Sequence, residues 1–138
     1  MTKILVTGSA GFIGFYLVKK LLDNGYDVVG IDNLNNYYDV KLKKTRLEKI
    51  QNFIEKRKLN ERYKFLKIDL ANKDSLKKLF KENTFDYVIN LAAQAGVRYS
   101  LENPDAYVES NLIGFINLME CCREKPIKHF LFASSSSV

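Results

Sequence analysis

Three glycines, Gly8, Gly11 and Gly14, recur at every third position in the segment KILVTGSAGFIG, between an apolar run and an amphipathic one. Ile4, Leu5 and Val6 suit a strand buried on both faces. From Phe12 the period becomes helical, with Ile13, Leu17 and Leu21 along one face. A glycine loop between a strand and a helix is the context that a dinucleotide fingerprint requires. Gly8 then permits the tight turn, Gly11 lets backbone approach a pyrophosphate, and Gly14 lets the helix lie close on the strand. The first helical N–H groups, Phe12 and Ile13 among them, are left for the phosphates.

A second strand is predicted over Tyr26–Ile31, ending at Asp32. A carboxylate about twenty residues past the glycines is placed to accept hydrogen bonds from an adenosine ribose. Asp32 would repel a 2′-phosphate, and no Arg or Lys follows it until Lys41, which favours NAD over NADP.

At 138 residues the chain makes one domain, able to bury about two-thirds of its unfolded surface. No apolar run reaches the roughly eighteen residues of a membrane span, and no secretory signal is visible before the first strand. Cys121 and Cys122 are adjacent on a predicted helix and point about 100° apart, so they are expected as free thiols of a cytoplasmic protein. His129 is the only histidine, which leaves a metal site unsupported. Much of the net charge of +6 comes from cations between Lys41 and Lys58, around an apolar stripe of Leu47, Ile50 and Ile54. That is a solvated helix face, and no aromatic platform or known module accompanies it, so nucleic acid is not an expected partner.

Strands are predicted at 3–7, 27–31, 63–68, 86–91 and 128–134, and helices at 12–23, 39–58, 74–83 and 104–124. This alternation implies an α/β, Rossmann-type doubly wound parallel sheet, and right-handed crossovers give strand order 3-2-1-4-5. Asn103 and Pro104 make a good helix start, and the helix after them carries two apolar faces.

TGSAGFIG, DNLNNYYDVKLKKTRL, LAAQAGVRYS and FASSSSV together resemble the extended short-chain dehydrogenase/reductases that act on nucleotide sugars. Within them, the UDP-glucuronate 4-epimerase branch is the most similar. The resemblance runs along the whole chain but covers only the first part of the family's length, so a cofactor-binding domain over 1–138 without its substrate domain is expected. It implies NAD held by Gly8, Gly11, Phe12, Ile13, Gly14, Asp32, Asn33, Asp69, Leu70, Leu91, Ala92 and Ala93. Asp69 would lie near the adenine amine, although it could equally cap a turn that Asn72 also competes to start. Asn90 stands where relatives usually carry His. Arg98 and Ser100, in the loop AQAGVRYSLENP, suit an anionic sugar nucleotide, while an exposed loop Arg remains the plain alternative. Asn111 matches an Asn near the family's active site, or bonds only neighbouring backbone.

The family's catalytic Ser or Thr lies three residues before a Val, which points to Ser135 counted back from Val138. The family's Tyr-x-x-x-Lys pair does not follow the serines, so the chain by itself is expected to be inactive. For the whole enzyme the resemblance implies oxidation of a UDP-sugar at C4 by NAD, rotation of the 4-keto sugar and reduction from its other face, in a homodimer. Decarboxylation is the nearest enzymatic alternative. Dehydration is disfavoured because Ser136 and Ser137 stand where dehydrating relatives have Asp-Glu. A non-catalytic NAD-binding scaffold is the alternative of another class.

Overall fold

The computed structural model describes residues 1–37 and 39–135. Its five strands are β1 (Lys3–Thr7), β2 (Asp27–Asp32), β3 (Tyr63–Lys67), β4 (Tyr87–Asn90) and β5 (His129–Phe132). They form one sheet in the order β3-β2-β1-β4-β5, with every neighbouring pair parallel. Sheet and strand order are those expected from the alternation of elements.

Alternation along β1 and β2 sends side chains to two separate cores. Ile4, Val6 and Val28 meet Phe15, Val18 and Leu22 of α1 (Phe12–Asp23) and Ile50 and Ile54 of α2 (Val40–Arg57). On the other face Leu5, Val29 and Ile31 meet Leu76, Leu79 and Phe80 of α3 (Lys73–Glu82) and Leu118 of a later helix. Because both faces are covered there, β1 and β2 read as nearly unbroken apolar runs. The buried stripe of α1 is Gly14, Phe15, Val18 and Leu22, with Leu17 and Leu21 of the predicted face packed at its margin and Ile13 exposed. The glycine loop sets this phase: Gly14 must face inward, which turns Ile13 out to solvent.

Two local features depart from expectation. The loop after β4 contains a short helix, α4 (Val97–Glu102), which buries no residue and so leaves no apolar period to read. The predicted helix 104–124 is composite: α5 (Pro104–Tyr107), a π-helical stretch Val108–Ile113, and α6 (Gly114–Glu124). Asn103 caps its start as predicted, accepting from the Ala106 N–H at 3.3 Å. The inner face holds Asn117, Leu118 and Cys121, whereas Val108, Leu112, Ile116 and Met119 are exposed. Two apolar faces are therefore present, only one of them covered.

At the N-terminal edge of the sheet one carboxylate ties three strands. Asp86 accepts from the Lys3 backbone N–H at 2.9 Å and from Lys128 Nζ at 3.1 Å. The Lys3 N–H, and secondarily Lys128, hold the Asp86 carboxyl below its usual range. Its contribution is therefore complete above the unfolded carboxylate value, about 4, and is lost as pH falls through the lower folded value. Asp86→Asn is expected to lower the urea midpoint at neutral pH, and the two midpoints should converge in strong acid. A gap that persisted there would mean that Asp86 acts through shape instead of charge.

Candidate functional site

The C-terminal ends of the strands open into a cavity of about 580 Å³, lined from all parts of the sheet by Thr7, Asp32, Asp69, Leu91 and Ala133 among others. It lies between β1 and β4, whose outgoing connections run to opposite sides of the sheet, the crevice in which doubly wound sheets take their ligands.

The glycine loop forms its floor. Gly8 has φ +67°, and a Cβ there would sit 2.8 Å from the Ala92 backbone N. A Cβ on Gly14 would sit 2.2 Å from the Gly8 carbonyl O and 2.9 Å from Ser9 Cα. Gly14 therefore lets α1 press on the loop that ends β1, more than on the strand itself. Gly11 differs: its only close neighbour would be the Gly8 carbonyl O at 3.1 Å, and it lines the cavity. As N-cap of α1 it has no side chain to satisfy the first N–H groups, and no acidic residue occupies the first turn. By contrast, Asp39 caps α2 and Asn72 caps α3 through their side chains. The open end of α1, with Phe12 and Ile13 67% and 63% exposed beside it, is suited to an anion.

Thr7 fastens the two central strand ends. Its hydroxyl donates to Asn90 Oδ1 and accepts from the Leu91 and Ala92 N–H groups, each at 3.1 Å. This explains the Asn at position 90: its amide oxygen takes the Thr7 proton inside the sheet. Leu91, Ala92 and Ala93 then run along the cavity.

Asp32 is buried at the end of β2. Its Oδ2 accepts from the Ala10 N–H at 3.2 Å, and its Oδ1 accepts from the Leu34 N–H at 2.8 Å and from Lys43 Nζ at 3.3 Å. Lys43 is itself buried, and Arg46 one turn on donates to the Ala10 carbonyl at 3.1 Å. Sequence reasoning missed these two cations. The signal was present, since the stripe Ile54, Ile50, Leu47 continues directly into Lys43. Below Asp32, the Tyr63 hydroxyl and Ser9 Oγ crowd Gly30, and burial pushes the Tyr63 pKa well above the phenol range. This tyrosine stays protonated.

Asn33 lines the cavity, and its Oδ1 accepts from the Asn35 N–H at 3.0 Å. Asp69 does two things: it lines the cavity and accepts from the Ala71 N–H at 2.9 Å, while Asn72 starts α3. Leu70 packs beside Asp69, with its carbonyl held by Asn117 Nδ2 at 2.8 Å. Asn111, in the π-helical stretch, accepts from the Gln94 N–H at 2.8 Å and donates to its carbonyl at 3.1 Å, while Ser110 beside it lines the cavity. Tyr37 and Tyr99 pack with centroids 4.7 Å apart and planes tilted by 41°, bringing the β2–α2 loop against α4.

The structure gathers all twelve residues expected to hold the cofactor around this one cavity. Arg98 and Ser100 stand on α4 and are not among its lining residues; the Ser100 hydroxyl donates to the Val97 carbonyl. Ser135 is exposed, three residues past the end of β5. Ser136, Ser137 and Val138, from which its position was counted, lie outside the described residues. The described residues contain no cluster of potential metal ligands. Burial pushes the Cys122 thiol up to about 11, which makes it a poor nucleophile.

The topology and the glycine loop define a Rossmann-type dinucleotide-binding domain. A profile described as GDP-mannose 4,6 dehydratase matches residues 5–138, and the chain belongs to that family. It is 49% identical over 136 residues to Protein CapI of Staphylococcus aureus, covering 99% of this chain and 38% of that protein. To the UDP-glucuronate 4-epimerase of Thermodesulfobacterium geofontis it is 46% identical over 134 residues, covering 97% of this chain and 39% of the enzyme. Among solved structures, a variant of UDP-glucuronic acid 4-epimerase from Bacillus cereus, in complex with NAD and a fluorinated UDP-sugar, superposes with TM-score 0.84 at 37% identity. That match covers 99% of this chain and 41% of the enzyme. The chain thus spans about two-fifths of the length of these relatives.

Gly14→Ala should destabilise the fold by at least about 1–3 kcal/mol, because the atoms its Cβ meets are backbone and cannot turn aside. Gly11→Ala should change stability far less. Urea denaturation of both variants checks this, and equal losses would contradict the assignment of different tasks to the two glycines.

Proposed function

We propose that this chain is the NAD-binding portion of a nucleotide-sugar 4-epimerase acting on UDP-glucuronate or a related UDP-hexose. The observation that carries the cofactor reading is the pairing of an uncapped α1 N-terminus over Gly11 with the Asp32 carboxylate across one cavity. A dinucleotide needs both a phosphate site and a ribose acceptor, and a lone anion site would have no use for Asp32. The kinship with UDP-glucuronate 4-epimerases supports the substrate class.

When bound, NAD supplies reversible hydride exchange at the sugar's C4. The residues of this chain position it. Gly11, Phe12 and Ile13 offer N–H groups to the pyrophosphate, Asp32 and Asn33 take the ribose, and Asp69 and Leu70 flank the adenine. Leu91, Ala92 and Ala93 present backbone to the nicotinamide half. Ser135 accepts and donates hydrogen bonds at the C4 hydroxyl, holding the oxygen whose proton must leave as the hydride does. Arg98 lies three positions past Ala95 of the cavity wall, within the same loop, and is assigned to the anionic sugar nucleotide. A second copy of the chain covers the exposed face of Val108, Leu112, Ile116 and Met119, and the free Cys121 and Cys122 suit a reducing cytoplasm.

Titration calorimetry should show one NAD bound per chain, displaced by ADP-ribose. Gly11→Val should weaken it by at least about tenfold by obstructing the approach of the pyrophosphate, while costing less urea stability than Gly14→Ala. Absence of NAD binding to the folded wild-type chain would overturn the proposal.

A further inference from the structure

We infer that Tyr63 is a positioning residue for the dinucleotide site: its hydroxyl, which has no partner in the structure, donates to Ser9 Oγ when the glycine loop settles on β2 around a bound dinucleotide. The inference rests on the reading of the cavity as a dinucleotide site and goes beyond it. Tyr63 opens β3 beside Val28 of β2, and its ring reaches along β2 to Gly30. There the Tyr63 hydroxyl and Ser9 Oγ come within 3.0 Å and 2.8 Å of the point that a Gly30 Cβ would take. The Tyr63 hydroxyl is the one buried side-chain polar group among the described residues that lacks a hydrogen-bond partner. Burial raises its pKa, Ser9 tempers the rise and Asp32 adds to it, so the phenol keeps a proton to donate.

A buried hydroxyl without a partner is costly, and its retention calls for a use. The contacts above it point to one. Residues 9 and 10 are tied to β2 by three hydrogen bonds: the Ser9 N–H and Ser9 Oγ donate to the Ile31 carbonyl at 3.2 and 3.3 Å, and the Ala10 N–H donates to Asp32 Oδ2 at 3.2 Å. All three lie at or past the long end of the ordinary range. The loop thus stands slightly high over β2, with the Tyr63 donor beneath it and no side chain on Gly30 to hold it off. Ser9 Oγ, while donating to Ile31, keeps lone pairs for that donor. The loop runs between the start of α1 and Asp32, so a dinucleotide held at both draws it towards β2. A small inward shift shortens the three ties and adds the fourth. Tyr63 stabilises only the settled loop, and a ligand that selects this loop binds more tightly because of it.

The test is calorimetry with NAD, paired with urea denaturation, on the whole chain. Tyr63→Phe, which removes the hydroxyl and keeps the ring, should weaken NAD about fivefold or more while leaving the urea midpoint unchanged or raised. A hydroxyl with a merely structural role would lower stability and leave affinity alone, so the opposed signs separate the two. Ser9→Ala removes the acceptor, and in that background Tyr63→Phe should change NAD affinity by less than about twofold. A Tyr63→Phe chain that binds NAD as tightly as the wild type, one whose urea midpoint falls, or a loss that persists undiminished in the Ser9→Ala background would overturn the inference alone. A wild-type chain that binds no NAD would overturn it together with the proposed cofactor.

Discussion

At Gly8 the end of β1, the end of β4 and the start of α1 converge on a single backbone position. The Ala92 N–H comes within 2.8 Å of where a Cβ would stand, and α1 lies close enough that a Cβ on Gly14 would overlap the Gly8 carbonyl. The left-handed φ of +67° at Gly8 turns the chain between those walls. The rest of the site follows from this crowding. It aims the open end of α1 into the cavity and sets the helix phase, which buries Phe15 and Val18 and exposes Phe12 and Ile13. Thr7, one residue earlier, holds β4 at the right distance through Asn90 and the Leu91 and Ala92 N–H groups.

Asp32 performs the corresponding task for the other half of the cavity. One carboxylate fixes the glycine loop through Ala10, the start of the β2–α2 loop through Leu34, and the first turn of α2 through Lys43. Arg46 returns to the same loop through the Ala10 carbonyl. The residue best placed to receive a ribose is thus also the residue that assembles its surroundings. Substitution at position 32 will change the shape of the pocket as well as its charge, and ligand comparisons at this position require controls on Lys43.

The fold was legible because its central strands β1 and β2 are buried on both faces. Runs such as Ile4–Val6 and Val28–Ile31 admit few other readings once helices separate them. The residues that line the cavity were legible because they sit at strand ends and in a glycine loop, where short-range sequence dictates geometry. What escaped was set by contacts distant in sequence. Lys43 looks like one more solvated cation until α2 is laid against β2. The π-helical stretch at Val108–Ile113 carries Asn111, which grips Gln94, and is followed by Gly114, which packs on Leu70; neither contact leaves a mark on local periodicity. Helix α4 buries nothing, so it has no apolar stripe to betray it. The chemistry of the loop suggested Arg98 and Ser100 for an anionic sugar nucleotide, and the structure sets them on α4, outside the residues that line the cavity.

The loop over Gly11 and the Asp32 carboxylate are proposed to read two ends of one dinucleotide. A crystal structure of the chain with NAD decides this. Pyrophosphate oxygens are expected within hydrogen-bond distance of the Phe12 and Ile13 N–H groups, and a ribose hydroxyl on Asp32 Oδ2 with the Lys43 pair intact. NAD bound with its phosphates away from α1, or with Asp32 still turned only to Ala10, Leu34 and Lys43, would contradict it.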